Sequence, residues 1–519
     1  MFRDFTTGRE ILPTFACQSE STRPTCSVED MLLPTAFVAS TRQLLGDEAF
    51  ERLSAALCQE PPVSIRVNDG RRPAGLQLPS ERVPWATTGY YLEGRPAFTF
   101  DPLLHAGCYY VQEASSMFLE QVLRQHLAEQ EPVRMLDLCA APGGKSTHAR
   151  SLLPSGSLLV ANEVIRQRTQ VLAENLTKWG QGDVVVTQSD PAAFGKLEGM
   201  FDVVLADVPC SGEGMFRKDE GAVAAWSAEG VRLCAGRQRR IVADVWPALH
   251  PGGLLIYSTC TMNVEENEEN VRWIAATLGA EPLPVRIESG WGIMGSLPAP
   301  SPAGGGPEAC RSLPAYRFLP HLTRGEGLFM AVLRKTGQRS GLSPDRRPAV
   351  RARGAYASVK GRRAADPARR PPVPMADWLQ DADRYVLLTE GERAFAFPRA
   401  YLPDLQVMHT ALHVVQAGIV LAEVRGRDWL PAHALALSTA LRPEAFPRVE
   451  LDYRQALAYL RREAIALPDG VPRGLVLVTY RSVPLGFAKN LGSRANNLYP
   501  QEWRIRSGYG PEEEVSVLG

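Results

Sequence analysis

Between residues 133 and 258 the sequence alternates short apolar runs with segments of helical periodicity, and this alternation restricts the fold more than any other feature. The runs are 133–138, 157–162, 183–187, 201–206 and 253–258, and helices are predicted to begin near 145, 165, 230 and 264. Repeated βα units of this kind require a parallel sheet with helices on both faces. A last apolar run, 327–335, is predicted to close the sheet. The predicted fold class is therefore α/β.

Two of these apolar runs lead into a cysteine. Residues 253–256 are followed by Tyr257-Ser258-Thr259-Cys260-Thr261, and residues 201–206 by Asp207-Val208-Pro209-Cys210. The carboxyl ends of parallel strands meet at one edge of a sheet, where α/β proteins hold their ligands. We therefore expect the thiols of Cys210 and Cys260 to share one reaction. Burial in the core, the usual fate of cysteine, would not explain their placement after two strands of one sheet.

The loop after the first predicted strand consists of small residues and leads into a helix. It comprises Cys139, Ala140, Ala141, Pro142, Gly143, Gly144 and Lys145. Small residues let a ligand approach the backbone, and the start of a helix offers free N–H groups. Gly144-Lys145-Ser146 matches the end of a P-loop, but position 139, which should be glycine, is cysteine, so the pattern argues against an NTPase. The G-x-G-x-x-G dinucleotide pattern is also absent.

Acidic residues follow the next two predicted strands. Glu163 stands where a carboxylate commonly binds ribose hydroxyls, and Asp190 stands where an adenine edge would lie. Either residue alone would more often be a helix cap or a loop residue, but the two follow consecutive strands of one sheet. The arrangement favours a nucleoside-bearing ligand that needs little phosphate binding. S-adenosyl-L-methionine, with its ribose, adenine and charged amino acid, meets that description.

Residues 137–145, 207–214 and 257–261 stand in the order and spacing of a known family. They resemble the RNA 5-methylcytosine methyltransferases of the NOP2/Sun family, and within it the bacterial RsmF-like (YebU-like) 16S rRNA enzymes. The resemblance covers about residues 31–335 and part of the C-terminal region. It implies a Rossmann-like class I S-adenosylmethionine methyltransferase in which residues 139–145, Glu163, Asp190 and Asp207 bind the cofactor. It further implies that Arg168 is a weaker cofactor-binding candidate and that residues 105–118 pack beside the cofactor pocket.

The chemistry of this family explains why two thiols are useful. Carbon 5 of cytosine is too weak a nucleophile to take a methyl group unaided, and addition of a thiolate to carbon 6 activates it. The proton at carbon 5 must then leave before the enzyme thiol can be eliminated. Sequence alone does not decide which cysteine attacks, because Pro209-Cys210 resembles the nucleophile of DNA cytosine methyltransferases. The RNA family implies that Cys260 is the nucleophile, that Cys210 assists product release, and that Asp207 also contacts the flipped base.

A chain of 519 residues predicts two or three domains. We expect a disordered tail (1–30), an N-terminal α+β cap that binds RNA (31–130), a catalytic domain (131–336), a basic flexible linker (337–376) and a C-terminal domain (377–519). Between 334 and 370 twelve Arg and Lys stand against two Asp. A nucleic-acid backbone is the simplest partner for such a segment, although charge alone fits a solvated tether equally well.

The C-terminal segments 474–478, 484–489 and 496–504 resemble the PUA-like, mainly β RNA-binding end of RsmF-type proteins. On this basis Tyr499 and Trp503 are predicted to stack on bases, and Lys489, Arg494 and Arg504 to contact phosphates. In the N-terminal cap, Arg71, Arg72 and Arg82 are further candidates for phosphate contacts.

The acidic run 265–270 after Cys260 is predicted to be a solvated helix start favoured by the helix dipole, rather than a metal site. No zinc-type Cys/His spacing occurs, and nine scattered cysteines indicate a reducing cytoplasm. Cys139 is interpreted as a small filler of the loop, and the other six cysteines as structural. Arg and Lys balance Asp and Glu at 57 each, so whole-chain charge predicts no partner.

The combined prediction is a monomeric cytoplasmic RNA cytosine carbon-5 methyltransferase that acts on 16S rRNA or the small ribosomal subunit. Neither a membrane nor DNA is expected as a partner. The alternatives are a tRNA methyltransferase, because these motifs do not distinguish RNA substrates, and a catalytically idle ribosome-assembly factor. The presence of both cysteines and the cofactor loop argues against the idle factor.

Overall fold

The structure is a computed structural model that describes residues 33–73, 75–127, 131–295, 313–337, 375–426, 428–511 and 513–519. The predicted disordered tail and most of the predicted basic linker lie outside these residues. Within them, no helix is both long enough and apolar enough to cross a membrane.

The N-terminal region is a helical pair followed by a small antiparallel sheet. Its elements are α1 (Thr35–Leu45), α2 (Asp47–Leu57), β1 (Val63–Val67), β2 (Gly89–Leu92), α3 (Pro102–His105), β3 (Tyr109–Val111) and α4 (Leu119–His126). The strand order is β2-β1-β3. Helices α1 and α2 are separated at Gly46, whose φ of 84° is a conformation that favours glycine.

The central region confirms the predicted alternation of strands and helices. Its strands are β4 (Arg134–Asp137), β5 (Leu158–Asn162), β6 (Val184–Thr187), β7 (Phe201–Asp207), β8 (Leu249–Thr259), β9 (Ala280–Leu283), β10 (Met294–Gly295), β11 (Ala315–Phe318) and β12 (Leu328–Lys335). Its helices are α5 (Gly144–Leu152), α6 (Arg166–Trp179), α7 (Pro191–Phe194), α8 (Glu220–Ala225), α9 (Ala228–Val245) and α10 (Glu268–Leu278). Strands β4, β5, β6, β7 and β8 are parallel neighbours, and apolar clusters cover both faces of the sheet.

The C-terminal region contains two further four-stranded sheets. Its strands are β13 (Tyr385–Glu390), β14 (Arg393–Pro398), β15 (Val414–Ala417), β16 (Ile419–Arg425), β17 (Asp428–Pro431), β18 (Arg448–Glu450), β19 (Gly474–Tyr480), β20 (Val483–Asn490) and β21 (Ala495–Asn497). Its helices are α11 (Leu402–Ala411), α12 (His433–Leu437) and α13 (Tyr453–Leu460). The sheets run β13-β14-β16-β17 and β18-β19-β20-β21.

One strand of the C-terminal region belongs to the central sheet. Strand β15 pairs antiparallel with β6 and completes an order of β10-β11-β12-β8-β7-β4-β5-β6-β15. Gly418, at φ 68°, turns the chain from the central sheet into the next one, and a β-carbon there would lie 2.1 Å from the Ala396 carbonyl oxygen. The domain predicted to be separate from residue 377 onward thus contributes to the central sheet.

The N-terminal cap shares one apolar core with the C-terminal region. Ile65, Val67 and Tyr109 pack in the same cluster as Val449, Val476 and residues as far as Leu518. The sequence predicts this cap, residues 31–130, as a subdomain of its own. A three-stranded sheet with one apolar face needs a partner, and here that partner is the last sheet of the chain.

Arg71 ties the cap to the C-terminal region rather than lying free for phosphates. Its guanidinium donates to the carbonyl oxygens of Ala106 (2.7 Å), Leu437 and Pro484 (3.4 Å). Burial lowers its pKa to about 10, so the group remains charged at neutral pH. The predicted phosphate contact of Arg71 is therefore wrong.

Candidate active site

The two predicted thiols lie next to each other at the carboxyl edge of the central sheet. Strands β7 and β8 are parallel neighbours in which Asp207 is opposite Ser258. The loops that follow therefore start side by side, and the sulfur atoms of Cys210 and Cys260 are 3.1 Å apart. Both residues are partly exposed, so a substrate can reach them.

Gly214 holds the two cysteine loops together. Its backbone N–H donates to the Cys260 carbonyl oxygen at 2.9 Å. A β-carbon at this position would lie 2.9 Å from both the Cys260 and the Gly327 carbonyl oxygens. Real side chains do not tolerate such contacts, so only glycine permits the loop after Cys210, the end of β8 and the start of β12 to meet here.

The thiols differ in their electrostatic surroundings. The hydrogen bond with Cys260, followed by burial and the charges of Cys260 and Glu266, raises the pKa of Cys210 well above its ordinary value. Cys210 is therefore a protonated thiol at neutral pH. Cys210 therefore holds a proton 3.1 Å from the Cys260 sulfur.

A lysine and an aspartate flank the thiol pair. Lys145 Nζ lies 2.9 Å from Asp207 Oδ2, and Ser258 Oγ donates to Asp207 Oδ1 at 2.6 Å. Burial lowers the pKa of Lys145, but the charge and hydrogen bond of Asp207 and the charge of Cys260 outweigh it, so the pKa is raised. Lys145 thus carries a positive charge that acts on both Asp207 and Cys260.

The small-residue loop is fixed by neighbouring side chains. Arg168 donates to the Ala141 carbonyl oxygen (2.8 Å), and Asn175 donates to that of Pro142 (2.8 Å). Gly143, at φ 114°, is the N-cap of α5, and a β-carbon there would meet Leu172 at 3.3 Å. Tyr110 and Gln112, from the predicted 105–118 segment, lie against Gly144. The loop backbone is therefore rigidly placed at the sheet edge.

Three carboxylates surround Cys139 inside this loop. Burial raises the pKa of its thiol, and the charges of Asp137, Asp207 and Glu163 raise it further. The Cys139 thiol is therefore neutral, and three carboxylates lie near it. Glu163 is 3% exposed and pairs with Arg168 at 3.3 Å. The exposed apolar side chains of Val164 and Ile165 follow it.

Asp190 lies at the same edge in a more exposed position. It is the N-cap of α7, where its side chain accepts from the Ala192 N–H at 3.0 Å. Asp190 is therefore a helix N-cap, the alternative role expected for a single carboxylate at this position. Its second oxygen is available for a ligand.

Asp137, at the end of β4, was not among the predicted site residues. It is 1% exposed, and Oδ2 accepts from Ser146 Oγ at 2.6 Å, whereas Oδ1 is buried without a hydrogen-bond partner. Burial raises its pKa to about 7. An aspartate that ends an apolar strand directly before a small-residue loop is the signal that would have identified it.

The acidic run after Cys260 is not a solvated helix start. Glu266 and Glu268 are fully buried, and α10 begins only at Glu268. Glu268 forms an ion pair with buried Arg317, which also donates to the Met262 carbonyl oxygen. Glu266 accepts from the Ser211 N–H. The predicted solvated face is therefore wrong for these two carboxylates.

The aromatic residues predicted to stack on RNA bases pack against other side chains of the protein. Tyr499 is 1% exposed and packs edge-on against His433 and Tyr459. Its predicted stacking on bases is therefore wrong. Trp503 is half-buried between His433 and Lys178. Of the predicted phosphate contacts, Arg494 and Arg504 are exposed and Lys489 is half-buried.

Comparisons with known families place the chain among methyltransferases. The model of the 16S rRNA methyltransferase RsmB/F family matches residues 124–334. A model for the N-terminal domain of 16S rRNA methyltransferase RsmF matches residues 33–114, and one for the methyltransferase RsmF PUA domain matches residues 446–505.

Individual relatives are similar over nearly the whole chain. The ribosomal RNA small subunit methyltransferase F of Klebsiella pneumoniae (strain 342) is 32% identical over 493 residues, which are 92% of this chain and 97% of that protein. The Serratia proteamaculans (strain 568) protein of the same name is 31% identical over 506 residues, 94% of this chain and 98% of its own. The crystal structure of PH0851 is 25% identical with a TM-score of 0.50, over 60% of this chain and 70% of that one. The chain therefore belongs to the RsmB/F family of 16S rRNA methyltransferases.

Proposed function

We propose that the protein methylates carbon 5 of a cytosine in small-subunit ribosomal RNA through a covalent bond between Cys260 and carbon 6 of the base. The observation that carries this proposal is the pair of sulfur atoms 3.1 Å apart beside the Lys145–Asp207 ion pair. Such an arrangement supplies one nucleophile and one group that exchanges a proton with the same base.

S-adenosyl-L-methionine is the cofactor, and it supplies an electrophilic methyl group on a positively charged sulfur. The pocket fits a ligand with positive charge and no phosphate, because the carboxylates of Asp137, Glu163 and Asp207 all lie near Cys139. The unpartnered Asp137 Oδ1 is free to accept a hydrogen bond from the ligand's amino group. Residues 139–145 would provide the backbone contacts, Glu163 the ribose contacts and Asp190 an adenine contact.

The two cysteines divide the reaction at the base. The Cys260 thiolate adds to carbon 6, and the electron pair that moves to carbon 5 would bond to the methyl group. The bond between that methyl group and the sulfonium sulfur would break, and its electron pair would stay on the sulfur as a neutral thioether. Once Cys260 is bonded to carbon, its hydrogen bond with Cys210 ends, and the Cys210 thiol can lose its proton to solvent. The Cys210 thiolate then removes the proton from carbon 5, the carbon 5–carbon 6 double bond re-forms, and the Cys260 thiolate leaves. Lys145 stabilises the Cys260 thiolate, and Asp207 is placed to accept from the amino group of the base.

The names of the relatives support ribosomal RNA as the substrate. The exposed Arg494 and Arg504, within and next to the PUA match, provide positive charge for its backbone. A tRNA substrate remains the alternative, because the catalytic geometry around the two cysteines is indifferent to the RNA that carries the base.

The experiment is to incubate wild type, Cys260→Ala and Cys210→Ala with labelled S-adenosylmethionine and either small-subunit RNA or tRNA. We expect release of free, labelled small-subunit RNA by the wild type only. Cys210→Ala should accumulate a covalent RNA adduct on a denaturing gel, because Cys260 still adds to the base but cannot be released. Cys260→Ala should form no adduct.

Cys234→Ala is the matched control, because Cys234 is a half-buried thiol on α9. It should methylate RNA like the wild type. An adduct in Cys260→Ala would reverse the roles of the two cysteines. Transfer to tRNA alone would identify tRNA as the substrate, and transfer to no RNA would favour an idle assembly factor.

A further inference from the structure

The buried carboxylate of Glu266 is not used by the chemistry proposed above. The residue is 0% exposed, and its two oxygens accept hydrogen bonds from three donors. These are the Ser211 N–H (3.0 Å), Gln238 Nε2 (2.6 Å) and Asn263 Nδ2 (2.8 Å). Burial raises the pKa of Glu266, whereas the hydrogen bonds from Ser211, Asn263 and Gln238 lower it.

Glu266 and Gln238 together hold the backbone on both sides of Cys210. Gln238 Nε2 donates to the Pro209 carbonyl oxygen at 3.0 Å as well as to Glu266, and Glu266 accepts from the Ser211 N–H. The peptide groups before and after Cys210 are therefore fixed by two side chains that also bond to each other. Because Cys210 lies between these two peptide groups, the clamp sets the position of its sulfur.

The same carboxylate is linked to the loop that carries Cys260. Asn263 Nδ2 donates to Glu266 and also to Thr261 Oγ1 at 2.9 Å. Thr261 Oγ1 in turn is hydrogen-bonded to Ser211 Oγ at 2.9 Å. The Glu266 carboxylate thus bonds directly to the backbone of the Cys210 loop, whereas its link to the Cys260 loop runs through side chains.

We propose that Glu266 is a positioning residue for Cys210, and that with Gln238 it holds the thiol where it removes the proton from carbon 5. This inference rests on the proposed function. It assigns Glu266 to the release step, in which the carbon 6–sulfur bond breaks and its electron pair returns to Cys260. Addition of Cys260 to the base does not depend on it.

Glu266→Gln tests the proposal, because the amide has the same shape but meets hydrogen-bond donors with its own N–H₂ group. In single-turnover reactions with labelled RNA, adduct formation should stay within about twofold of the wild-type rate. Adduct release should be about tenfold slower or more, because a buried donor is left unpaired beside Cys210. The adduct should therefore accumulate, as in Cys210→Ala. Gln238→Met, which removes the other half of the clamp, should show the same pattern.

Glu268→Gln is the matched control, because Glu268 is equally buried in the same acidic run but pairs with Arg317. It should lower thermal stability without accumulating adduct. Equal slowing of formation and release in Glu266→Gln and Gln238→Met, or release at the wild-type rate, would overturn the role of Glu266. If Cys210→Ala itself forms no adduct, the proposed function fails, and this outcome is distinguishable from failure of the Glu266 proposal alone.

Discussion

At the scale of single residues, the carboxylates at the sheet edge have very different environments, and Asp137 is the most unusual of them. It is buried, one oxygen has no partner, and its pKa is raised from 3.8 to about 7. Because the pKa is raised on folding, the folded protein binds this proton more tightly than the unfolded chain does. The resulting stability is fully present below about pH 4 and is lost as the pH rises through 7.

We therefore expect Asp137 to lower the free energy of unfolding of the cofactor-free protein by up to about 1.4 kcal/mol per pH unit between pH 4 and 7. Asp137→Asn should remove this component, so that the variant loses less stability than the wild type over that range. Urea denaturation at several pH values measures it. Asp190→Asn, the same change at the exposed cap of α7, is the control, and an unchanged slope in Asp137→Asn would contradict the prediction.

The sequence predicted the residues that react better than it predicted the buried residues that hold them in place. Cys210, Cys260 and the 139–145 loop were identifiable because each follows an apolar strand, and the strand order brings them together. The burial of Glu266 was not predictable, because an acidic run at a helix start is normally solvated and its partners Ser211 and Gln238 lie far away in sequence. The burial of Tyr499 was also not predictable, because an aromatic residue among basic ones is equally typical of an RNA surface and of a small core.

At the scale of elements, the N-terminal helices support the cysteine loops. Phe37 of α1 is 1% exposed and packs edge-on against Phe216 (5.1 Å) and Trp226 (5.7 Å), which follow Cys210 in the chain. The same apolar cluster includes Met262, two residues after Cys260. Helices α1 and α2 therefore pack against the segments that follow both cysteines.

Phe37→Ala should destabilise the protein by about 3–5 kcal/mol, because it leaves a cavity among these aromatic rings. It should also slow methyl transfer, since both cysteine loops lose support. Denaturant unfolding and transfer to small-subunit RNA measure the two effects. Val171→Ala, which removes an exposed apolar side chain from α6, should change neither. Wild-type stability of Phe37→Ala would show that α1 does not support the loops.

Element types in the central region were predictable because buried parallel strands are continuous apolar runs. The residues at which elements begin and end were harder to predict. The helix predicted from 264 begins at Glu268, because Asn263 and Glu266 hydrogen-bond to each other and to the neighbouring loop instead of continuing the helix. The hydrogen bond from the Ser211 N–H to Glu266 joins residues 55 positions apart, so it leaves no local signal in the sequence.

At the scale of the whole molecule, the cap and the C-terminal region are joined by a shared core and by Arg71. Arg71→Met would leave the carbonyl oxygens of Ala106, Leu437 and Pro484 without their donor. We expect a loss of about 3 kcal/mol in the free energy of unfolding and faster limited proteolysis of the C-terminal region. The neighbouring Arg72, which pairs with the exposed side chain of Asp69, is the control. Arg72→Met should cost less than about 1 kcal/mol, and equal losses for the two variants would exclude a joining role for Arg71.

The pairing of β15 with β6 has a consequence for how the protein is made. During synthesis the N-terminal part of a chain leaves the ribosome first, and β6 is exposed as an open sheet edge until residues 414–417 follow. An unpaired edge strand is a site of aggregation. The catalytic sheet is therefore completed only late in translation. A chain that terminates before residue 414 would lack the last strand of this sheet.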